Sequence, residues 1–229
     1  MMRYSPFRDD LATAGRALAA AGLVTAFGHV STRTDDGQLL ITGPYPLDEA
    51  EAWTRSCLLR ADLDGLPEGA PGEAHIHVEI ARRRPDIRAI CRAQPPAVME
   101  LSATGRPVRA LHGQGAMLGS TVAVFDDAAL VRDQARAVAL ADALADGPAI
   151  VLRGNGAVTV GSSLGEAVAR MWVLDASARV NLTAARRGSE RALTDAEVVV
   201  WRAAAPQLLE RIWRWLDRPE RRTDGDRTT

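Results

Sequence analysis

Lysine is absent from this chain, and all 28 residues counted as Lys plus Arg are arginines. An arginine guanidinium stays protonated and cannot form a Schiff base with a carbonyl group. The sequence therefore excludes aldolase chemistry through a protein imine and the internal aldimine of pyridoxal phosphate. We expect no cofactor, because GQGAMLG (113–119) lacks the strand and helix that flank a nucleotide-binding loop.

Cysteines, long apolar runs and excess charge of one sign are also scarce or absent, and each absence makes certain classes of protein less favoured. The two cysteines, Cys57 and Cys91, are isolated in the sequence, which is typical of a reducing cytoplasm. No apolar run approaches the roughly 18 residues that cross a bilayer, and the first residues lack a signal-peptide pattern. The net charge of -1 provides no basic stripe for nucleic acid. We expect a cytoplasmic protein, with one domain over 1–217, a disordered tail over 218–229, and no nucleic-acid or membrane partner.

The local patterns that are present alternate between strand and helix. They predict a first helix after Ser5, a hairpin over 29–42, a strand over 57–65, a helix over 74–84, a strand over 87–93 and a short helix after Pro96. They then predict a loop over 112–120, a long helix over 126–146, two strands over 149–161 and two helices beginning at Ser163 and Thr194, the second kinked or restarted at Pro206. This order indicates an α/β sandwich with a largely antiparallel sheet.

Several polar residues lie where elements begin or end. Glu73 and His77 are four residues apart on one helix face, although a capped helix with a solvated histidine is the commoner explanation. His75 lies roughly 200° around the helix from His77, so the two are no chelating pair. Arg92 and Gln94 alternate along a strand and share one of its faces. The tryptophans at helical spacing favour core or interface positions.

Three segments carry a resemblance to a known family. LVTAFGHVSTR, GEAHIHVEIARRRPDIRAICRAQPPAV and IVLRGNGAVTVGSSLGEAVARM resemble, in that order, the class II aldolase/adducin family, and most closely its branch with aromatic-acid decarboxylases. The resemblance implies a three-layer α/β/α sandwich around a mixed, mainly antiparallel sheet. It also implies a homotetramer with active sites between neighbouring subunits.

The resemblance also implies a divalent metal, and here the sequence departs from the family pattern. The positions of the family's three metal-binding histidines hold Arg92, Gln94 and Asn155, while the glutamate of the motif is present as Glu73. A guanidinium is permanently charged and repels a cation, so no metal is expected at this position. A metal relocated to His29, His75, His77 or His112 is a less favoured alternative.

These residues predict a metal-independent lyase or isomerase acting on a small anionic, carboxylate-bearing substrate. Arg92 would replace the cation, Glu73 would be the general acid/base, and His29 or His112 would carry the second proton. The remaining residues expected to bind substrate are Gln94, Asn155, Arg153, Ser31, His77 and Gly28. The alternative is a non-catalytic binding or scaffold protein in which Glu73 and Arg92 form a buried ion pair.

Overall fold

The computed structural model describes residues 4–60, 65–188 and 190–218. These ranges contain eight helices: α1 Ser5–Ala20, α2 Ala50–Thr54, α3 His75–Arg83, α4 Pro96–Ala103, α5 Gly113–Ala116, α6 Gln134–Leu144, α7 Leu164–Arg187 and α8 Asp195–Leu216. They also contain seven strands: β1 His29–Arg33, β2 Leu39–Ile41, β3 Cys57–Leu59, β4 Ala89–Ala93, β5 Ala123–Phe125, β6 Ala149–Leu152 and β7 Ala157–Gly161.

All seven strands form one sheet, in the order β3-β2-β1-β4-β7-β6-β5. Every neighbouring pair is antiparallel except β5 and β6, which run parallel. The β1–β2 and β6–β7 pairs are hairpins, as their turn residues predict. The prediction of a mixed, mainly antiparallel sheet is therefore confirmed.

Side-chain alternation along β4 shows how helices cover both faces of the sheet. Ala89, Cys91 and Ala93 pack in a core cluster with α1, α4 and α7, whereas Ile90 packs in a second cluster with α3 and α6. The molecule is thus the predicted three-layer α/β/α sandwich. Arg92 alternates with Cys91 and so shares the face of Ile90, the side on which α3 lies.

The two long C-terminal helices begin where their capping residues predict. The Ser163 hydroxyl accepts a hydrogen bond from the Glu166 amide at the start of α7. Thr194 and Glu197 form a complete capping box at the start of α8. Pro206 lies inside the continuous helix α8, so the helix is not restarted there, which corrects that part of the expectation. Ala205 and Leu209 on either side of it are buried in the core cluster that includes α7, and this packing offsets the lost backbone hydrogen bond.

Two further predictions from local pattern were wrong. The helix expected over 126–146 begins only at Gln134, because Asp133 caps α6 by accepting from the Arg136 amide. Asp127 accepts a hydrogen bond from the Ala129 amide in a turn before it, and Leu130 is exposed. The segment 112–120, expected as loop, contains the short helix α5.

Some expectations lie outside the described residues or are not tested by them. The tail beyond Arg218 and residues 61–64 of the predicted 57–65 strand lie outside the described ranges. Among the helices that the structure describes, none is long and apolar enough to cross a membrane.

Candidate active site

Two neighbouring strands bring the candidate residues to one face of the sheet. His29 of β1 lies directly opposite Arg92 of β4, so both side chains point towards α3. Gly28, just before β1, has a φ of +155°, and a Cβ there would come within 2.9 Å of Val24 Cγ1 and 3.3 Å of the Arg92 carbonyl oxygen. A glycine at this position allows the chain to enter β1 close against β4.

Glu73 and Arg92 form the centre of the site. Arg92 Nη2 lies 3.1 Å from Glu73 Oε2 and donates a 2.8 Å hydrogen bond to Asn155 Oδ1. Gln94 Nε2 donates to the same oxygen at 2.8 Å, and Asn155 Nδ2 donates to Glu73 Oε1 at 3.3 Å. Arg92, Gln94 and Asn155 therefore form one hydrogen-bonded cluster with Glu73, with one positive and one negative charge among them.

The turn between β6 and β7 holds Asn155 in this cluster. Gly156 has a φ of +82°, and a Cβ there would lie 2.1 Å from the Ala93 carbonyl oxygen. The Gly154 amide donates to Ser102 Oγ at 2.9 Å, which fixes the other side of the turn. Only glycine permits both the left-handed backbone and the close approach at position 156.

His77 is fully buried, which corrects the expectation of a solvated histidine. Its Nδ1 lies 2.7 Å from Ser31 Oγ, and its Nε2 lies 2.7 Å from His29 Nδ1. His29 Nε2 in turn lies 3.9 Å from Glu73 Oε2. A chain of polar contacts, which we call the histidine relay (Ser31, His77 and His29), thus leads from the interior to Glu73.

Burial and the Glu73–Arg92 pair set the charge of each group. Burial, and secondarily the Arg92 charge, lower the pKa of His29, and burial lowers the pKa of His77 well below its ordinary 6.5. Burial alone would raise the pKa of Glu73, but contacts with His29 and Arg92 and an amide hydrogen bond from Val131 together lower it. At neutral pH the site therefore holds a carboxylate, a guanidinium and two neutral imidazoles.

Two buried nitrogens of the site lack a hydrogen-bond partner within the described ranges. They are Nε2 of His29 and Nε of Arg92, on side chains that are 5% and 1% exposed. An unsatisfied buried donor costs about 1–3 kcal/mol, so native structures rarely leave two of them in one cluster. Within the described ranges these two nitrogens are therefore available to acceptor atoms of water or of a ligand.

The donor set does not fit a divalent metal. Glu73 supplies one carboxylate, whereas Arg92 supplies a positive charge and no lone pair. Asn155 Oδ1 already accepts from both Arg92 and Gln94. His29 and His77 bond to each other through Nδ1 and Nε2, so their lone pairs do not converge on a common point. Among the residues that the structure describes, no group of three His, Cys, Asp or Glu side chains could hold a metal ion.

Two of the predicted site residues contact other parts of the molecule. Arg153 pairs with Asp126 at 2.5 Å, and its side chain is half exposed. His112 Nε2 lies 3.1 Å from Ser177 Oγ beside α7, and burial lowers its pKa. Neither His112 nor any residue of the Glu73 cluster lines the cavity of about 640 Å³ beside α8, whose lining residues are Gln114, Trp172, Trp201, Leu208, Arg211, Ile212, Arg214, Trp215 and Arg218.

The histidine relay was missed from the sequence, although part of its signal was visible. His29 and Ser31 alternate in the GHVS segment, so a shared face could have been predicted. Their contact with His77 spans 48 and 46 residues of sequence and depends on how α3 packs on β1. The Val131 amide, another partner of Glu73, had no sequence signal because backbone donors are the same at every position.

The sequence of the chain is similar to those of known proteins. The sequence profile described as "Class II Aldolase and Adducin N-terminal domain" matches residues 9–182. A 3,4-dihydroxyphthalate decarboxylase from Terrabacter sp. (strain DBF63) is 34% identical over 220 residues, covering 90% of this chain and 91% of that protein. The 3,4-dihydroxyphthalate decarboxylase from Rhodococcus jostii (strain RHA1) is 30% identical over 211 residues, covering 85% of this chain and 86% of that protein.

Solved structures show the same fold. An aldolase II superfamily protein from Pseudomonas syringae superimposes with a TM-score of 0.78 at 20% identity, covering 98% of this chain and 95% of that chain. The L-fuculose-1-phosphate aldolase from Thermus thermophilus gives a TM-score of 0.69 at 30% identity, covering 82% of this chain and all of that chain.

Proposed function

The chain belongs to the class II aldolase and adducin family, and from this premise we propose that it is a metal-independent decarboxylase of a hydroxylated aromatic carboxylic acid. The relatives that align over about nine-tenths of its length support a lyase acting on a carboxylate substrate. The expectation of a lyase, made from the sequence, is confirmed at that level. The absence of a metal and the role of Arg92 remain our proposal.

The observation that carries the proposal is the buried pair of Arg92 and Glu73 beside two unfilled donors. A fixed positive charge in a water-poor site stabilises negative charge that develops on a substrate oxygen. The Arg92 guanidinium, already held by Asn155 and Glu73, needs no reorganisation to do so. In this proposal it supplies the positive charge that the family resemblance assigns to a divalent cation.

Decarboxylation of a hydroxylated ring then needs a base, an oxyanion site and a proton for the ring carbon. The Glu73 carboxylate is ionised at neutral pH, because its pKa is lowered. It takes the proton of a ring hydroxyl whose acidity Arg92 increases by stabilising the resulting oxyanion. Protonated Glu73 returns that proton to the ring carbon bearing the carboxylate, because the oxyanion pushes electrons to that carbon. The bond to the carboxylate breaks, CO₂ leaves, and its electron pair restores the aromatic ring. One proton from solvent restores the hydroxyl, so the net reaction consumes one proton.

The charge on Arg92 belongs near the ring oxygen rather than near the departing carboxylate. A carboxylate that becomes CO₂ loses its charge in the transition state, so a cation held against it would stabilise the substrate more than the transition state. A second carboxylate on the ring, in contrast, keeps its charge throughout and can anchor the substrate. Gln94, which donates to Asn155 at the edge of the site, is available for such contacts.

The proposal is tested by measuring CO₂ release from dihydroxylated aromatic mono- and dicarboxylic acids, beginning with 3,4-dihydroxyphthalate. We expect turnover that persists after exhaustive treatment with a chelator and without added metal. An Arg92→Ala variant should lose about 10²–10³-fold in kcat, the cost of removing a transition-state donor. Arg153→Ala is the matched control and should retain wild-type turnover, because Arg153 pairs with Asp126 outside the cluster.

Two outcomes would overturn parts of this proposal separately. Loss of turnover on chelation, restored by one added metal, would contradict metal independence while leaving the decarboxylase assignment in place. No turnover of any acid, together with no shift of the melting temperature by these acids, would favour a non-catalytic binding or scaffold protein.

A further inference from the structure

His29 has both of its ring nitrogens in defined surroundings. Nδ1 faces His77 Nε2 at 2.7 Å, and Nε2 faces Glu73 Oε2 at 3.9 Å, too far for a hydrogen bond. His77 is equally constrained, because its Nδ1 lies 2.7 Å from Ser31 Oγ. Neutral imidazole carries one N–H and one lone pair, so only two arrangements of protons satisfy the relay.

The ionised Glu73 carboxylate decides between these two arrangements. A carboxylate only accepts hydrogen bonds, so the His29 nitrogen that faces it carries the proton. His29 Nδ1 is then an acceptor for His77 Nε2–H, and His77 Nδ1 is an acceptor for the Ser31 hydroxyl. The opposite arrangement would direct the lone pair of His29 Nε2 at a carboxylate oxygen, which is repulsive. Both histidines are therefore expected as neutral Nε2–H tautomers.

The relay cannot release a net proton at neutral pH. If His29 gave up its Nε2 proton and was resupplied through His77, the last donor would be Ser31, which would become an alkoxide in a fully buried position. If His29 was not resupplied, it would become an imidazolate. Neither species is accessible in a neutral protein interior, so His29 donates a hydrogen bond and keeps its proton.

We propose that Ser31 and His77 are positioning residues, which hold His29 as a neutral Nε2–H donor aimed at the substrate oxygen on which negative charge develops. This inference rests on the proposed function for the identity of that oxygen. The buried Nε2 that lacks a partner is then satisfied by the oxyanion. His29 and Arg92, opposite each other on β1 and β4, form the two donors of one oxyanion site. This assigns to His29 a role other than the proton carrier expected from the sequence.

The first test reads the tautomers directly in the unmodified protein. The chain has four histidines, so ¹⁵N labelling of histidine gives a spectrum in which each ring can be assigned from single His→Gln variants. Two-bond couplings between ring protons and ring nitrogens distinguish the Nε2–H tautomer, the Nδ1–H tautomer and the imidazolium. We expect His29 and His77 as Nε2–H tautomers at neutral pH. An Nδ1–H tautomer or an imidazolium at His29 would overturn the proposal.

The second test compares two substitutions at His77, which does not contact the substrate in this proposal. His77→Phe preserves a planar ring but removes the donor to His29, whereas His77→Gln retains an amide N–H at that site. We expect His77→Phe to lower kcat by about 10- to 100-fold with KM nearly unchanged, as is typical when a supporting hydrogen bond is lost. His77→Gln should restore a large part of kcat and the Nε2–H signal of His29.

Equal losses in the two variants would show that His77 only fills space and would contradict the positioning role. If neither variant folds, the spectrum of the wild-type protein alone decides the question. If the protein turns over no aromatic acid, the proposed function fails, but the tautomers of His29 and His77 still confirm or contradict the positioning role.

Discussion

Arg92 is the largest of the fully buried side chains, and only 1% of it is exposed. Burying a guanidinium costs several kcal/mol unless a counter-ion and acceptors surround it. Glu73 and Asn155 provide these, yet Arg92 Nε has no partner within the described residues. A charge that serves only stability is seldom placed this way, because an apolar side chain of similar volume would do as well.

The first prediction concerns the cost of removing that charge. Arg92→Ala leaves the Glu73 carboxylate partly buried without its counter-ion, and we expect the free energy of unfolding to fall by about 3–5 kcal/mol. The double variant Arg92→Ala/Glu73→Gln should recover part of that loss, because no unpaired charge remains. Denaturant titration measures both, with Arg153→Ala as the exposed control that loses about 1 kcal/mol or less. Additive losses in the double variant would contradict the buried pair.

The second prediction is a dependence of stability on pH. The pKa of His77 in the folded chain lies well below 6.5, and that of His29 is also lowered. Below pH 6.5 the unfolded chain therefore binds protons that the folded chain does not, and stability falls on acidification. Glu73, whose pKa is lowered from 4.5, adds a further loss only as the pH falls below about 4.5.

Denaturant titrations at pH 7.5, 6.5 and 5.5 measure this effect. Each histidine that stays neutral when folded contributes up to about 1.4 kcal/mol per pH unit. His77→Phe should reduce the slope between pH 6.5 and 5.5. A slope that His77→Phe does not change would show that His77 binds protons equally in the folded and unfolded chains.

At the scale of elements, two connections position the site. The glycine at position 28 lets β1 start close against β4, and the turn between β6 and β7 carries Asn155 to Arg92 and Glu73. The pairing of β1 with β4 positions the remaining two side chains, because it places His29 opposite Arg92. The chemistry therefore depends on backbone geometry at the ends of strands, where a small shift moves a donor out of reach.

The third prediction uses two glycines of one turn. Gly154 and Gly156 both have positive φ, at +69° and +82°, but only at Gly156 would a Cβ collide with backbone, 2.1 Å from the Ala93 carbonyl oxygen. Gly154→Ala should cost about 1 kcal/mol through backbone strain alone. Gly156→Ala should cost clearly more and should lower kcat, because the turn must shift and take Asn155 with it.

Unfolding titrations together with turnover of the two alanine variants provide the measurement. Similar stability and similar kcat for the pair would show that Asn155 does not depend on the close approach of Gly156 to β4. A selective loss of kcat in Gly156→Ala would show that the turn positions the site.

At the scale of the whole molecule, the outer face of α8 presents apolar side chains to solvent. Val199 and Val200 are 65% and 68% exposed and are adjacent in sequence. Burying such exposed apolar side chains against another subunit is favourable. We propose that the chain forms a homo-oligomer, a tetramer by its family resemblance, in which this face of α8 is covered.

The fourth prediction is that light scattering after size-exclusion chromatography gives the mass of a tetramer at micromolar concentration. Val199→Glu/Val200→Glu should dissociate it, because a charge buried at an apolar interface is costly. Val124→Glu, at an exposed position on β5, is the matched control and should leave the mass unchanged. A monomeric wild-type protein would contradict the proposal.

Local pattern predicted most elements, and its failures have physical causes. The hairpin of β1 and β2 and the capped starts of α7 and α8 depend on residues close in sequence, so their signals are local. The apolar residues Leu130 and Val131 suggested a longer α6, but Asp133 caps the helix after them. Pro206 suggested a kink or a restart of the helix, but α8 is not restarted there and packs on the core on both sides of the proline.

Some features of the candidate site follow from the sequence, and others follow only from the tertiary structure. The sequence by itself determined that no lysine is present to form a Schiff base and that Glu73, Arg92, Gln94 and Asn155 are the residues at these positions, because these are matters of residue identity. Only the tertiary structure decided that His77 is buried against Ser31 and His29, that His29 faces Glu73, and that Arg153 does not join them. Protonation and hydrogen bonding depend on burial and on contacts between residues far apart in sequence, and packing of α3 on the sheet creates both.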